Sequence, residues 1–115
     1  MNILSTLAIA AVGFLVLQRV LGGKKVSSHI VKQKLESGAF VLDVRTPEEF
    51  RAGAYPGAKN IPISELERRM GEIPRGKAIV VYCASGMRSA TAEHMMRLAG
   101  FADIVNAGGL GAMPR

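Results

Sequence analysis

Two short apolar segments limit the folds open to this 115-residue chain. Residues 39–44 (AFVLDV) and 78–82 (AIVVY) are apolar at nearly every position and rich in valine and isoleucine. Such runs are typical of strands covered on both faces, as in a parallel sheet. Residues 103–107 form a weaker third run, and residues 58–62 are a candidate for a further short strand. The sequence therefore predicts a small, mostly parallel sheet.

Signals for helices alternate with these runs. A helix is expected after the serines at 27 and 28, before the first run. Thr46 and Glu49 match a capping box, with proline at the first helical position between them. Ser89 is expected to be the N-cap of a helix that ends at Gly100. This alternation predicts an α/β domain at residues 26–115, with a mostly parallel sheet flanked by helices.

The N-terminal segment has a different character. Residues 3–21 are apolar except for two hydroxyl residues near the start and Gln18 and Arg19 near the end. As a helix this segment would be roughly 28 Å long, close to the thickness of the hydrocarbon core of a bilayer. We expect a transmembrane anchor at residues 1–21 and a glycine-containing linker at residues 22–25. A cleaved signal peptide is the alternative, but no positively charged segment precedes the apolar run.

The distribution of charge indicates how such an anchor would be oriented. The formal net charge is +6, and five basic residues lie between Arg19 and Lys34 with no acidic residue among them. The remaining ten basic residues nearly balance the nine acidic ones, so we expect no nucleic-acid partner. Because basic flanks stay on the cytoplasmic side, we expect a single-pass protein of a bacterial-type inner membrane with a cytoplasmic domain.

Cys83 is the only cysteine in the sequence, which excludes an internal disulfide and a multi-cysteine metal site. It follows the second apolar run and begins a loop of small residues, CASGMRS, at 83–89. Backbone N–H groups of such a loop, the N-terminus of the next helix and the guanidinium of Arg88 all favour an anion at the loop centre. The same groups favour a thiolate over a thiol. Cys83 is therefore a candidate nucleophile, with neither a metal nor a cofactor expected.

Three segments resemble rhodanese domains, the sulfurtransferases. They are VLDVRTPEEFRAGAYPGAKNIP (41–62), CASGMRSATAEHMMRLAGF (83–101) and GFADIVNAGG (100–109). The resemblance implies that a sulfane sulfur passes from thiosulfate or a similar donor to Cys83. The resulting persulfide would give this sulfur to a thiophilic acceptor, which is cyanide in the laboratory or a thiol in the cell. A protein acceptor is one option left open.

The resemblance also implies roles for the neighbouring residues. Loop residues Ala84, Ser85, Gly86, Met87 and Arg88 would bind the substrate and stabilise the persulfide. Asp43, Arg45 and Ser89 would support the loop structurally.

Two departures from the family pattern are visible in the sequence. Residues 53–58 read GAYPGA, without the histidine that many members have there. Few residues follow Gly109, so the closing helix of the family is expected to be missing and one flank of the sheet thinner.

The spacing between Cys83 and Arg88 bears on the reaction. Four residues separate them, and rhodanese-like phosphatases of the cell-cycle type have one more. The shorter loop favours transfer of a single sulfur atom over phosphoryl or arsenate chemistry. Two further functions are compatible with the same loop: a non-catalytic rhodanese module localised at the membrane, and a carrier that passes persulfide sulfur between proteins.

Overall fold

The computed structural model describes residues 26–115. The strands and helices along the chain are α1 (Ser28–Glu36), β1 (Phe40–Asp43), α2 (Pro47–Ala52), β2 (Lys59–Asn60), α3 (Ile63–Arg69), β3 (Ile79–Cys83), α4 (Met87–Leu98) and β4 (Ile104–Gly109). Short 3₁₀ turns follow α3 at Met70–Glu72 and β4 at Leu110–Ala112. All the predicted strands are present, and the expected α/β class is confirmed.

The four strands form one sheet in the order β2-β1-β3-β4, and every pairing is parallel. The strand that ends at Cys83 is therefore central, with β1 on one side and β4 on the other. Its register with β4 is irregular between Val81 and Cys83, where Cys83 pairs with Gly109. This irregularity lies at the carboxyl end of the sheet, where ligands bind in open parallel sheets.

Helices cover both faces of the sheet, which explains why the central strand is apolar throughout. One face of β3 carries Ile79, Val81 and Cys83, which pack with residues of α3 and α4 such as Leu66 and Met96. On the opposite face Val80 and Tyr82 pack with Val31 of α1. Met113, only 5% exposed, adds to this second layer from beyond β4.

Of the two helix N-caps predicted from the sequence, the one of α2 is correct and the one of α4 is wrong. The capping box of α2 is confirmed: the Thr46 side chain accepts from the backbone N–H of Glu49, and the Glu49 side chain accepts from that of Thr46. Ser89, however, is not an N-cap, because α4 begins two residues earlier at Met87. Gly86 occupies the cap position with a φ of 100°, a left-handed conformation that favours glycine. Ser89 thereby lies inside the helix and faces the sheet.

The predicted membrane anchor at residues 1–21 and the linker at residues 22–25 lie outside the described residues. Within residues 26–115, no helix is both long enough and apolar enough to cross a membrane.

Candidate active site

Cys83 is the last residue of β3, so it belongs to the strand and not to the loop that the sequence indicated. Its side chain is not displayed at an open tip, because the residue is 0% exposed. The sulfur accepts a hydrogen bond from the backbone N–H of Gly86 at 2.9 Å. It also lies 3.3 Å from the hydroxyl oxygen of Ser89. The thiol is thus held beneath the loop that follows it.

Two opposing effects act on the pKa of the Cys83 thiol. Burial is the largest single effect and raises the pKa, since it disfavours the charged form. Hydrogen bonds from the Ser89 side chain and from the backbone N–H groups of Ser89, Gly86 and Ser85 favour the thiolate. Together they outweigh burial, and the pKa of Cys83 lies below its usual value. The thiolate is the nucleophilic form of cysteine, so the loop activates this side chain.

Ser89 connects the sulfur to a buried network that no motif in the sequence reveals. Its hydroxyl donates to Oδ1 of Asn106 at 2.7 Å, and the same oxygen accepts from the backbone N–H of Gly108 at 2.9 Å. The Asn106 Nδ2 group donates to the carbonyl of Gly86 at 3.2 Å. When Cys83 ionises, the Ser89 hydroxyl can turn to the sulfur while Asn106 Oδ1 keeps the Gly108 donor. The sequence contains one signal for this network, which is the polar Asn106 within the apolar run at 103–107. That run by itself predicts only a strand.

The loop residues predicted to bind substrate surround the sulfur on its outer side. Ala84, Ser85 and Met87 are exposed, and Gly86 turns the chain into α4. Gly109 lies directly beneath the loop: a Cβ atom at this position would overlap the carbonyl oxygen of Ala84 and lie 3.0 Å from its carbonyl carbon. The loop and the end of β4 are therefore in close backbone contact.

Arg88, which the sequence indicated as a cation favouring an anion at the loop centre, is paired with a carboxylate. Its Nη1 and Nη2 atoms contact the two carboxylate oxygens of Glu49 at 2.7 and 3.0 Å. Hydrogen bonds from Arg88 and from the backbone of Thr46 lower the pKa of Glu49 to about 2. The carboxylate is thus ionised at neutral pH and neutralises much of the guanidinium charge. Glu49 is a further site residue that sequence reasoning missed, because its position in the sequence indicates only a capping box.

Asp43 and Arg45 form a buried ion pair at the end of β1. The Asp43 side chain is 0% exposed and that of Arg45 is 7% exposed, and their Oδ2 and Nη2 atoms are 2.8 Å apart. Arg45 also donates to the carbonyl of Gly53 at 2.7 Å. These contacts tie β1 to the segment after α2.

Tyr82, which precedes the cysteine, joins the same ion pair from β3. Its hydroxyl donates to Oδ2 of Asp43 at 2.6 Å and accepts from the backbone N–H of Tyr55 at 3.0 Å. Burial, followed by the hydrogen bond to Asp43, raises the pKa of Tyr82 to about 12. The phenol is therefore a neutral structural group that links the cysteine strand to β1.

Fold and site together define a class of protein: a parallel α/β domain whose central strand ends in a buried cysteine that accepts a hydrogen bond from the loop after it. Comparison with known proteins identifies the family. The Rhodanese-like domain family matches residues 27–112, and the chain belongs to this family.

Individual relatives agree with this assignment. The chain is 35% identical over 84 residues to a sulfurtransferase of Allochromatium vinosum, covering 71% of this chain and 78% of that protein. It is 36% identical over 78 residues to the thiosulfate sulfurtransferase PspE of Escherichia coli, covering 64% of this chain and 75% of that protein. The human single-domain sulfurtransferase TSTD1 superimposes with a TM-score of 0.64 and 32% identity, covering 76% of this chain and 91% of that structure. Some relatives are longer: the chain spans 45% of the putative sulfur carrier protein YrkF of Bacillus subtilis.

The contact between Ser89 and Cys83 leads to a prediction about pH. In Ser89→Ala the thiolate loses a hydrogen-bond donor, so the pKa of Cys83 should rise. The pH midpoint for alkylation by iodoacetamide should then move upward, because the hydrogen bond stabilises the charged form of the sulfur. Thr91→Ala is the matched control, because among the described residues the Thr91 hydroxyl bonds only to the backbone of Met87 in the same helix. An unchanged midpoint in Ser89→Ala would show that the hydroxyl does not support the thiolate.

Proposed function

We propose that this protein is a sulfurtransferase that moves a sulfane sulfur from thiosulfate or a similar donor to a thiophilic acceptor through a persulfide on Cys83. The observation that carries the proposal is the environment of the sulfur, which accepts from Gly86 N–H and lies 3.3 Å from the Ser89 hydroxyl. Membership of the family supports it, as do the sulfurtransferase names of the relatives from Allochromatium vinosum and Escherichia coli.

The first half-reaction is a displacement at sulfur. The Cys83 thiolate attacks the outer sulfur of thiosulfate, the S–S bond of the donor breaks, and sulfite leaves with the bonding electron pair. A new S–S bond joins that sulfur to Cys83, and the total negative charge is unchanged. The loop N–H groups that stabilise the thiolate are also positioned to stabilise the terminal sulfur of the persulfide, in the manner of an oxyanion hole. This role falls first to Gly86, whose N–H donates to the sulfur at 2.9 Å. The N–H groups of Ser85 and Ser89 also favour the charged form of the sulfur.

The second half-reaction requires an external acceptor. Cys83 is the only cysteine of the chain, so no second thiol of the same chain can resolve the persulfide. Cyanide takes the outer sulfur as thiocyanate, and a cellular thiol takes it as a new persulfide. In both cases the Cys83 thiolate is regenerated as the leaving group. A protein thiol fits this step as well as a small one.

We further propose that residues 3–21 anchor the protein in a bacterial-type inner membrane, with the domain on the cytoplasmic side. The support is the uncharged apolar segment followed by Arg19, Lys24 and Lys25.

Two measurements on the full chain test these proposals. Washed membranes from cells producing the protein should form thiocyanate from thiosulfate and cyanide, and the activity should stay with the membranes after an alkaline wash. Activity released entirely by that wash would contradict the anchor. The purified protein should gain the mass of one sulfur atom on Cys83 with thiosulfate and lose it with cyanide.

The controls separate sulfur transfer from the competing functions. Cys83→Ala should abolish both the mass gain and thiocyanate formation. Absence of sulfur uptake by the wild-type protein from any donor would exclude both a transferase and a persulfide carrier. Uptake without turnover on small acceptors would leave transfer between proteins as the function. Release of phosphate from an aryl phosphate would instead favour a phosphatase.

A further inference from the structure

The positive charge of Arg88 in the cysteine loop is balanced by the negative charge of Glu49. Arg88 is the only charged side chain among residues 83–89. Both of its terminal nitrogens contact Glu49, and each side chain of the pair is 34% exposed. Glu49 is itself held in place, because its Oε1 atom accepts from the backbone N–H and the hydroxyl of Thr46, each at 3.1 Å. The carboxylate cannot turn away from Arg88 without also opening the cap of α2.

The mouth of the site is uncharged and partly apolar. Ala84 and Ser85 are exposed above the sulfur, and Met87 is 79% exposed at the start of α4. A thioether side chain is flexible and polarizable, so it adapts to organic groups of different shapes. Exposure of so large an apolar side chain beside a buried nucleophile fits contact with a substrate better than it fits packing of the domain.

We propose that Glu49 determines the class of sulfur donor: by compensating Arg88 it favours organic donors with a single negative charge over the thiosulfate dianion. Organic thiosulfonates and organic persulfides belong to this class. The inference rests on the proposed sulfurtransferase function and narrows the range of its donors.

The physical reason is the number of negative charges that must approach one another. Thiosulfate brings two charges toward a thiolate that has a third, and the ion pair with Glu49 leaves little net positive charge to offset the repulsion. With a singly charged donor, the Coulomb repulsion between donor and thiolate is halved. The organic group of such a donor can also contact Met87. Removing the negative charge that compensates Arg88 should change the relative rates of the two donors about tenfold.

A thiosulfonate reacts by the same balanced step as thiosulfate. The Cys83 thiolate attacks the outer sulfur of methanethiosulfonate, the donor S–S bond breaks, and methanesulfinate leaves with the electron pair. With an organic persulfide, the thiolate attacks the outer sulfur and the organic thiolate leaves. Each reaction produces the same Cys83 persulfide and needs no oxidant or reductant.

The test compares thiosulfate with methanethiosulfonate, which replaces one charged oxygen by a methyl group. The ratio of kcat/KM for methanethiosulfonate to that for thiosulfate should fall about tenfold in Glu49→Gln, because the guanidinium becomes available to the dianion. Glutamine can still serve in a capping box, so α2 should keep its start. The ratio cancels any general change in thiolate reactivity. A ratio that stays the same or rises in Glu49→Gln would overturn the inference.

Glu48→Gln is the matched control. Glu48 lies in the same helical turn and, within residues 26–115, pairs only with the exposed Arg51, so its replacement removes the same charge without touching Arg88. The ratio should stay at the wild-type value in this variant. An equal fall in Glu48→Gln would mean that the net charge of the domain, and not the pair at the site, selects the donor.

A second measurement keeps the inference separate from the proposed function. Iodoacetate and iodoacetamide alkylate the same sulfur and differ by one charge, so the ratio of their rates reports the electrostatic potential at Cys83. The relative rate of iodoacetate should rise about tenfold in Glu49→Gln, whether or not sulfur is transferred. Alkylation that responds in this way without sulfur uptake from either donor would refute the function alone. Sulfur transfer with unchanged ratios would refute the inference alone.

Met87→Lys provides a variant that does not alter the ion pair. Because Met87 is exposed, a lysine at this position should leave the core intact and add a cation at the mouth. The preference should then shift toward thiosulfate, as in Glu49→Gln. Loss of activity toward both donors to the same extent would instead assign Met87 a role unrelated to donor charge.

Discussion

Gly109→Ala is expected to lower kcat/KM for sulfur transfer about 100-fold, because it displaces the loop that holds the sulfur. The added Cβ would overlap the carbonyl oxygen of Ala84 and lie 3.0 Å from its carbonyl carbon. Both atoms belong to the backbone, so no side chain can rotate to make room. Displacement of this backbone would carry Gly86 N–H away from the sulfur, to which it donates at 2.9 Å. Overpacking of this kind also costs about 1–3 kcal/mol of the free energy of unfolding.

The effect of Gly109→Ala is measured by steady-state sulfur transfer and by urea unfolding of the same preparation. Gly111→Ala is the matched control, since a Cβ there would meet no atom within 4 Å. We expect its kcat/KM and its free energy of unfolding to equal those of the wild type. Full activity in Gly109→Ala would mean that the loop can form without its close contact with β4.

Asp43→Asn is expected to have the largest effect on stability, lowering the free energy of unfolding by about 3–5 kcal/mol. The substitution keeps the shape of the side chain but leaves the buried guanidinium of Arg45 without a counter-charge. Burial makes that loss expensive, because the Asp43 side chain is 0% exposed and that of Arg45 is 7% exposed. Domains of this size have about 5–15 kcal/mol in total, so the variant should be close to its unfolding threshold at physiological temperature.

The measurement for Asp43→Asn is urea unfolding monitored by circular dichroism. Glu48→Gln is the comparison, because it breaks an ion pair whose two side chains are 68% and 75% exposed. Exposed pairs contribute about 0–1 kcal/mol, so this variant should be nearly neutral. Equal stability of Asp43→Asn and the wild type would show that the buried pair is not needed to hold β1 and β3 together.

Local patterns in the sequence predicted much of the fold. The runs at 39–44 and 78–82 were recognisable because strands covered on both faces need apolar residues at successive positions. The capping box at Thr46 was recognisable because both partners lie within one helical turn. The prediction that Ser89 is an N-cap was wrong, because a serine near the start of a helix can lie either at the cap or inside the first turn. The left-handed Gly86 decides between these two positions.

The parts of the site that could not be predicted depend on contacts between distant residues. Glu49 and Arg88 are 39 positions apart, and no local pattern shows that the sheet order brings α2 beside the cysteine loop. Asn106 contacts the loop for the same reason, because β4 lies next to β3. The charge available to a substrate is therefore a property of the fold, although the loop residues themselves were predicted from the sequence.

The position of Cys83 at the end of a central strand has a consequence for local unfolding. The amides of β3 are paired or covered on both sides, so they should exchange hydrogen with solvent only in rare, global openings. The next residues are not part of any ladder, and Gly86 is held there by its bonds to the Cys83 sulfur and to Asn106. These bonds can break while all the strand pairings stay in place. The amides of the loop should therefore exchange hydrogen faster than those of β3, through local opening that does not require the sheet to unfold.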